Sequence, residues 1–118
     1  MKIDYSLFPQ ELAIDRFIHA VENAYYAEAH ELLEDEWRDL KKSGFLKESQ
    51  VLKGLINGAT ALALFYKKQN IPGYKRVWKV YIKYDPLLDI VELEHKDRFY
   101  YAKDLLVKIH KDVESTLS

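Results

Sequence analysis

The stretch VLKGLINGATALALFY, which begins at Val51, constrains the fold of this chain more than any other part of the sequence. Its polar side chains before Lys67 are Lys53, Asn57 and Thr60, and at about 100° per residue these three share one narrow stripe. A helix that is apolar over nearly all its remaining surface lies in the centre of a domain. We therefore expect a central, buried helix over about residues 48–68.

The back of this central helix carries small residues, namely Gly54, Gly58 and Ala61. Each glycine costs roughly 0.5–1 kcal/mol of helix stability relative to alanine. Because a glycine has no side chain, a neighbouring helix can approach its backbone closely. We expect another helix to pack closely on this face.

Four further helices are predicted from apolar spacing and terminal signals. The first helix is expected to begin at Pro9. Proline has no backbone N–H, and in the first turn of a helix this loss costs nothing. The second ends in lysines followed by Gly44, a typical C-terminal cap. Pro72-Gly73 is expected to form a turn before the fourth helix. The fold class is therefore all-α: a single domain, residues 1–118, built as a compact array of about five helices over roughly 9–23, 26–42, 48–68, 74–84 and 94–116.

The composition excludes several classes of function. The chain of 118 residues has no cysteine, which excludes zinc ribbons, CxxC redox chemistry and thiol nucleophiles. Nucleotide-binding glycine motifs and the GxSxG nucleophile elbow are not found in the sequence. The first residues lack the apolar stretch of a signal peptide, and no apolar run approaches the length of a membrane span. We expect a cytoplasmic protein that does not enter the membrane.

The second predicted helix contains EAHELLEDEWR, an acidic stretch with an unusual inner face. Relative to His30, Glu34 projects at about 40° and Trp37 at about −20°, so the three share the apolar, core-facing stripe. Glu34 lies at the edge of that stripe. Since buried charged groups need partners, these side chains are expected to form a hydrogen-bonded pair or a ligand site.

This stretch and the helix that follows resemble the domain-of-unknown-function family 309. The resemblance covers about residues 20–84 and implies a small all-helical domain, with no established activity. Asn57 stands where the family more often has glutamine, and the Ala63–Leu64 region lacks the histidine that the family often has there. That departure argues against a site with several histidines. The matching residues are His30, Glu31, Glu34 and Trp37 in the first motif and Gly54, Leu55 and Ile56 in the second.

Two hypotheses follow for this cluster. The first is a non-catalytic structural or interaction role, in which His30, Glu34 and Trp37 organise the interface between the second and third predicted helices. The alternative is a metal-binding protein or metal-assisted hydrolase that holds a divalent metal through His30 and Glu34. A third ligand would then come from Glu31 or His110. HELLE differs from the HExxH zinc motif at one position, where Glu34 replaces the second histidine. A di-iron helix bundle needs two Glu-x-x-His motifs, and the sequence does not contain both.

The charges are distributed unevenly although the net charge is −1. The second predicted helix is acidic, whereas the fourth presents a basic face. A second alternative is therefore anion or nucleic-acid binding through this face, with Tyr74 or Trp78 available for stacking. The near-neutral chain argues against a dedicated nucleic-acid binder. The complementary acidic and basic helices instead suggest a homo-oligomer. The basic residues are Lys75, Arg76, Lys79 and Lys83.

Overall fold

The computed structural model describes residues 3–118, and this part of the chain is helical without strands. The predicted all-α fold class is confirmed. Short 3-10 helices lie at Tyr5–Leu7 and Asp85–Asp89. The α-helices are α1 (Ala13–Glu22), α2 (Tyr26–Leu32), α3 (Glu34–Lys42), α4 (Leu46–Tyr66), α5 (Ile71–Tyr84) and α6 (Lys96–Leu117).

The long helix α4 is the centre of the array, as the sequence predicts. It contacts α2, α3, α5 and α6, while α1 closes the far side by packing on α2 and α6. The buried side chains form one hydrophobic core to which every α-helix except α3 contributes fully buried residues, and α3 adds Trp37 and Leu40 at the margin. Burial of apolar faces at roughly 25 cal/mol per Å² is what holds such an array together.

The small residues of α4 allow α5 to lie close to it, which confirms the predicted close packing. A Cβ atom on Gly54 would come within 3.0 Å of the Cβ atom of Tyr84 in α5. A Cβ atom on Gly58 would come within 2.9 Å of Cδ1 of Leu106 in α6 and 3.3 Å of Cδ1 of Tyr81 in α5. The propensity cost of the two glycines is therefore offset by packing against both neighbours.

The start of the first helix was predicted wrongly. The helix begins at Ala13 rather than at Pro9, and residues 9–12 form an irregular approach to it. The Arg16 guanidinium donates hydrogen bonds of 2.8 Å to the carbonyl oxygens of Gln10 and Glu11. These carbonyls therefore accept a side-chain donor where a helix would supply backbone N–H groups.

The second predicted helix is divided at Leu33, so residues 3–118 contain six α-helices where five were expected. Leu32 and Leu33 are both buried, although neighbouring residues project about 100° apart on a regular helix. The division lets α2 and α3 present different faces to the core. It is a bend more than a separation, because the Trp37 N–H still donates to the Leu33 carbonyl at 3.0 Å.

The ends of α3 and α5 follow recognisable capping chemistry. Gly44 has φ +85° and lies after α3, where the Phe45 N–H donates to the Leu40 carbonyl at 2.9 Å, as in a Schellman motif. The predicted turn at Pro72-Gly73 is instead the first turn of α5, because the Asn70 side chain accepts from the Gly73 N–H at 2.9 Å and caps the helix.

Arg98 and Lys103 are among the polar residues that tie α6 to the rest of the array. The Arg98 Nε atom lies 2.7 Å from Oδ1 of Asp15 and so joins α6 to α1. Asp85 accepts a hydrogen bond of 2.8 Å from the Tyr81 hydroxyl and lies 3.5 Å from the Lys103 ammonium. Within residues 3–118, none of the helices has the length and apolar character needed to cross a membrane.

Candidate functional site

The side chains of His30 and Glu34 are in contact across the bend between α2 and α3. Nε2 of His30, near the end of α2, lies 3.0 Å from Oε1 of Glu34, the first residue of α3. Their side chains remain 38% and 33% exposed, so the pair lies at the surface and not inside the core as the helical wheel predicted. The buried residues of α2 are Tyr26, Ala29 and Leu32, which leaves His30 at the margin of the buried face.

Trp37 is the member of the cluster that reaches the core. Its half-buried indole packs against the core residues, and the Lys41 ammonium lies 5.3 Å from the centroid of its ring. A tryptophan offers a large apolar surface together with a ring face that attracts cations. Trp37 therefore anchors α3 on α4 and forms a wall beside the His30–Glu34 pair.

The polar stripe of α4 faces this cluster. Lys53, Asn57 and Thr60, which the sequence placed on one narrow stripe, line an open depression of about 260 Å³ together with Ile56. The opposite side of the same depression is formed by His30, Glu34 and Trp37. Two features that were read separately from the sequence thus form a single site, which we call the motif pocket.

The α4 side of the motif pocket is held in place by bonds to its own helix. The Asn57 amide nitrogen donates to the Lys53 carbonyl at 2.8 Å, and the Thr60 hydroxyl donates to the Ile56 carbonyl at 2.9 Å. This bond uses one N–H of the Asn57 side-chain amide and does not involve the second N–H or the amide oxygen. The pocket offers an ammonium, a carboxylate, an imidazole and an amide over an apolar floor at Ile56.

Other predicted members of the motif lie outside this pocket. Gly54 lies on the opposite face of α4, where it contacts Tyr84 of α5, and its role is to permit close packing. Glu31 is half-buried on α2 and is not among the residues in 3–118 that line the pocket. The motif therefore combines a site (His30, Glu34 and Trp37) with residues that serve the fold.

The structure brings His30 and Glu34 together, but among residues 3–118 it adds no third ligand to them. Within the described residues, no group of three or more histidine, aspartate or glutamate side chains has a geometry that could hold a metal ion. His110, named as a third ligand, lies on α6 and contacts Tyr74 and Trp78 of α5. Metal binding by His30 and Glu34 stays a prediction that rests on two donors.

The predicted basic face is exposed, but its aromatic partners are not. Side chains of Lys75, Arg76, Lys79 and Lys83 project from α5 into solvent. Tyr74 and Trp78, which were predicted to lie on the flank and to be available for stacking, are 0% and 5% exposed. That prediction is wrong because α5 is covered by α4 on one side and by α6 on another, so both residues belong to the core.

A second polar cluster, which sequence reasoning did not assemble, lies between α5 and α6. The Tyr74 hydroxyl is hydrogen-bonded to Nδ1 of His110 and lies 3.5 Å from Oε1 of Glu114. Burial raises the pKa of Tyr74, and burial lowers the pKa of His110 while Glu114 acts in the opposite direction. The His110–Glu114 spacing of four residues was a signal for this cluster, but nothing local indicated that Tyr74 would join it.

Comparison with known proteins agrees with this description. The family model described as "Domain of unknown function (DUF309)" matches residues 14–77, which is 64 of the 118 residues. The class defined by the fold and the site is thus a small all-helical protein with a His-Glu surface pair against a central helix. The chain belongs to the DUF309 family. No curated protein and no solved structure matches it significantly.

Proposed function

We propose that this protein is a non-catalytic interaction protein whose recognition site is the motif pocket. The observation that carries the proposal is that the His30–Glu34–Trp37 cluster and the polar stripe of α4 line the same open depression. Small concave sites with a few convergent polar groups on an apolar floor are typical of binding sites. The cluster also has a structural part to play, since Trp37 packs on the core and the His30–Glu34 contact spans the bend.

The arrangement of hydrogen bonds favours binding over catalysis. Nucleophilic catalysis needs a nucleophile within hydrogen-bond reach of its base. The Thr60 hydroxyl in the pocket donates to a backbone carbonyl, and Nε2 of His30 is engaged by Glu34. The hydroxyl thus directs its proton to the backbone and not to His30, whereas Lys53 and Asn57 are suited to recognise polar groups of a ligand.

The proposal can be tested with a mixed library of small carboxylates, amines and amides, followed by nuclear magnetic resonance of the isotope-labelled protein. We expect at least one class to shift the backbone amide signals of Ile56, Asn57 and Thr60. An Asn57→Arg variant, which fills the pocket with a long side chain, should abolish these shifts. The matched control Asp104→Arg, at an exposed position of α6, should retain them.

The contrary result is equally clear. If none of the three chemical classes perturbs the pocket amides of the folded wild-type protein, the motif pocket is not a recognition site. Shifts that persist unchanged in Asn57→Arg would place the binding elsewhere and would contradict the proposal as well.

A further inference from the structure

The motif pocket is the middle part of a longer groove along α4. A hollow of about 180 Å³ shares His30 and Thr60 with it, and a hollow of about 160 Å³ shares Trp37 and Lys53 with it. Because each neighbouring hollow shares two lining residues with the motif pocket, the three lie next to one another along α4. We call the combined depression the α4 groove.

The floor of the α4 groove is one face of a single helix. Its residues recur every three or four positions, which is the spacing of one helical face. From Leu46 to Lys67 there are 21 steps, so the floor is about 32 Å long at 1.5 Å per residue. The walls come mainly from α2 and α3, with Tyr84 of α5 at one end. The floor residues are Leu46, Ser49, Gln50, Lys53, Ile56, Asn57, Thr60, Ala63, Leu64 and Lys67.

The charges of the groove are almost all positive. Among residues 3–118, four lysines and one carboxylate line it, and that carboxylate, Glu34, lies 3.0 Å from His30. Within residues 3–118, no carboxylate lies within 4.0 Å of any of the four ammonium groups. The groove therefore presents cations that are not neutralised by the protein's own described side chains. The four lysines are Lys41, Lys53, Lys67 and Lys68.

Apolar surface alternates with these cations. Between Lys53 and the Lys67–Lys68 end, the groove passes Ile56 and then a hollow bounded by Ala27, Ala63 and Leu64. Apart from the His30 imidazole on the side shared with the motif pocket, the apolar lining of this hollow is aliphatic, which fits an aliphatic side chain. Trp37, the aromatic residue of the middle section, has the Lys41 ammonium over its ring.

We propose that the α4 groove binds an extended, acidic peptide segment of a partner protein, which rests on the motif pocket being a recognition site. Carboxylates of the segment pair with Lys41, Lys53 and the Lys67–Lys68 end, and an aliphatic side chain enters the hollow between them. Lys53 and Lys67 are 14 residues apart on the helix, about 21 Å. An extended strand at roughly 3.3 Å per residue covers that distance with about six residues.

The test measures fluorescence anisotropy of a labelled peptide, acetyl-DLDDLD-amide, with the full chain. We expect saturable binding to the wild type that weakens as salt rises, because ion pairs at an open groove are screened. Lys53→Glu should weaken binding by about tenfold or more, since it replaces a charge-assisted contact by repulsion. Lys79→Glu makes the same charge reversal on the exposed face of α5, outside the groove, and should leave binding within about twofold of wild type. Both positions are exposed, and equal unfolding midpoints will verify that the variants fold.

Several results would overturn the inference. Equal weakening by Lys79→Glu would assign binding to the net charge or to α5. Equal binding of acetyl-NLNNLN-amide or acetyl-KLKKLK-amide would show that the groove does not select acidic segments. Stronger competition by oligothymidine than by unlabelled peptide would favour a nucleic acid, and self-association abolished by Lys53→Glu would identify a second copy of the chain as the occupant.

Absence of binding by all three peptides would also overturn the inference. It would leave the proposed function to be decided separately, because the small-molecule experiment reads out the amides of Ile56, Asn57 and Thr60 without any peptide. Fragment binding without peptide binding would therefore mean a recognition site for a small ligand rather than for an acidic segment.

Discussion

The imidazole of His110 lies flat against the indole of Trp78, with ring centroids 4.1 Å apart and 7° between the ring planes. Nδ1 of the same imidazole is hydrogen-bonded to the hydroxyl of Tyr74, a residue that is fully buried. Burial lowers the pKa of His110 and outweighs the opposite effect of Glu114, so its protonation is less favourable in the folded protein than in the unfolded chain. The contact between α5 and α6 therefore includes a group whose protonation is coupled to folding.

We expect the protein to become less stable as the pH decreases, because His110 then takes up a proton. Its pKa in the folded state lies below the ordinary value of 6.5, so between the two values the unfolded chain binds more protons. The contribution is fully present above pH 6.5 and is lost as pH falls toward the folded pKa. Urea unfolding between pH 7.5 and pH 5 should show a steeper loss for wild type than for His110→Gln. His95→Asn, at an exposed position, is the control and should follow wild type; equal slopes for all three proteins would contradict this prediction.

Glu36 is expected to have the opposite pH dependence. Burial raises its pKa, Arg16 opposes that effect, and Asp39 and Glu94 add to it. The folded-state pKa is thus above 4.5, so the stabilising contribution is present below that value and is lost as pH rises through the folded pKa. Glu36→Gln should raise the unfolding midpoint at pH 7 and have a smaller effect at pH 4, as measured by thermal unfolding. A lower midpoint at pH 7 would show that Glu36 has a stabilising partner.

The glycine at position 54 is expected to be required for the contact between α4 and α5. A methyl group there would lie 3.0 Å from the Tyr84 Cβ atom, which is attached directly to the α5 backbone and cannot rotate away. We expect Gly54→Ala to destabilise the protein by about 1–2 kcal/mol in urea unfolding, despite the gain in helix propensity. Asn57→Ala, on the open face of the same helix, is the control. A Gly54→Ala protein as stable as wild type would mean that α5 can move outward at little cost.

The contact between His30 and Glu34 is expected to contribute little to stability. Both side chains are about one-third exposed, and exposed ion pairs contribute about 0–1 kcal/mol. His30→Ala should therefore lower the free energy of unfolding by less than about 1 kcal/mol, whereas Leu62→Ala in the core should lower it by about 2–5 kcal/mol. A loss of about 2 kcal/mol or more in His30→Ala would indicate a structural polar pair that the wild-type fold requires.

Metal binding at the same pair can be measured directly. His30 and Glu34 supply two donors, whereas structural zinc sites use four and catalytic sites three protein ligands. We expect plasma mass spectrometry of untagged, dialysed protein to show less than stoichiometric metal, and added Zn²⁺ to leave the unfolding midpoint unchanged. Stoichiometric metal that disappears in His30→Ala would restore the metal-site hypothesis for this cluster.

Local sequence patterns predicted the C-terminal cap of α3 and the polar stripe of α4, but they did not predict where α1 begins. Gly44 and the Lys53–Asn57–Thr60 stripe lie where the pattern placed them, because helix caps and helical spacing are local properties. Pro9 is compatible with a first helical turn and was read as one. The Arg16 side chain instead satisfies the carbonyls of Gln10 and Glu11, and such a side-chain contact is not part of any propensity rule.

Burial on α5 could not be decided from its own periodicity. Tyr74 and Trp78 lie beside the apolar face on a helical wheel and are amphipathic, so either exposure or burial fits the pattern. Both are buried because α6 covers a second side of α5, where His110 stacks on Trp78 and bonds to Tyr74. The hydrogen bond between Tyr74 and His110 joins residues 36 positions apart in the chain, and helical spacing carries no information over that distance.

The sequence by itself determined the all-α class, the central position of α4 and the membership of two polar sets, His30–Glu34–Trp37 and Lys53–Asn57–Thr60. Only the tertiary structure decided that these sets face each other across one pocket and that the pocket continues into a groove lined with lysines. The 3.6-residue period fixes angles between side chains of one helix. Which helix packs against each face, and how each helix is rotated about its own axis, depends on packing all the helices into a single core. Distant parts of the chain contribute to that core together.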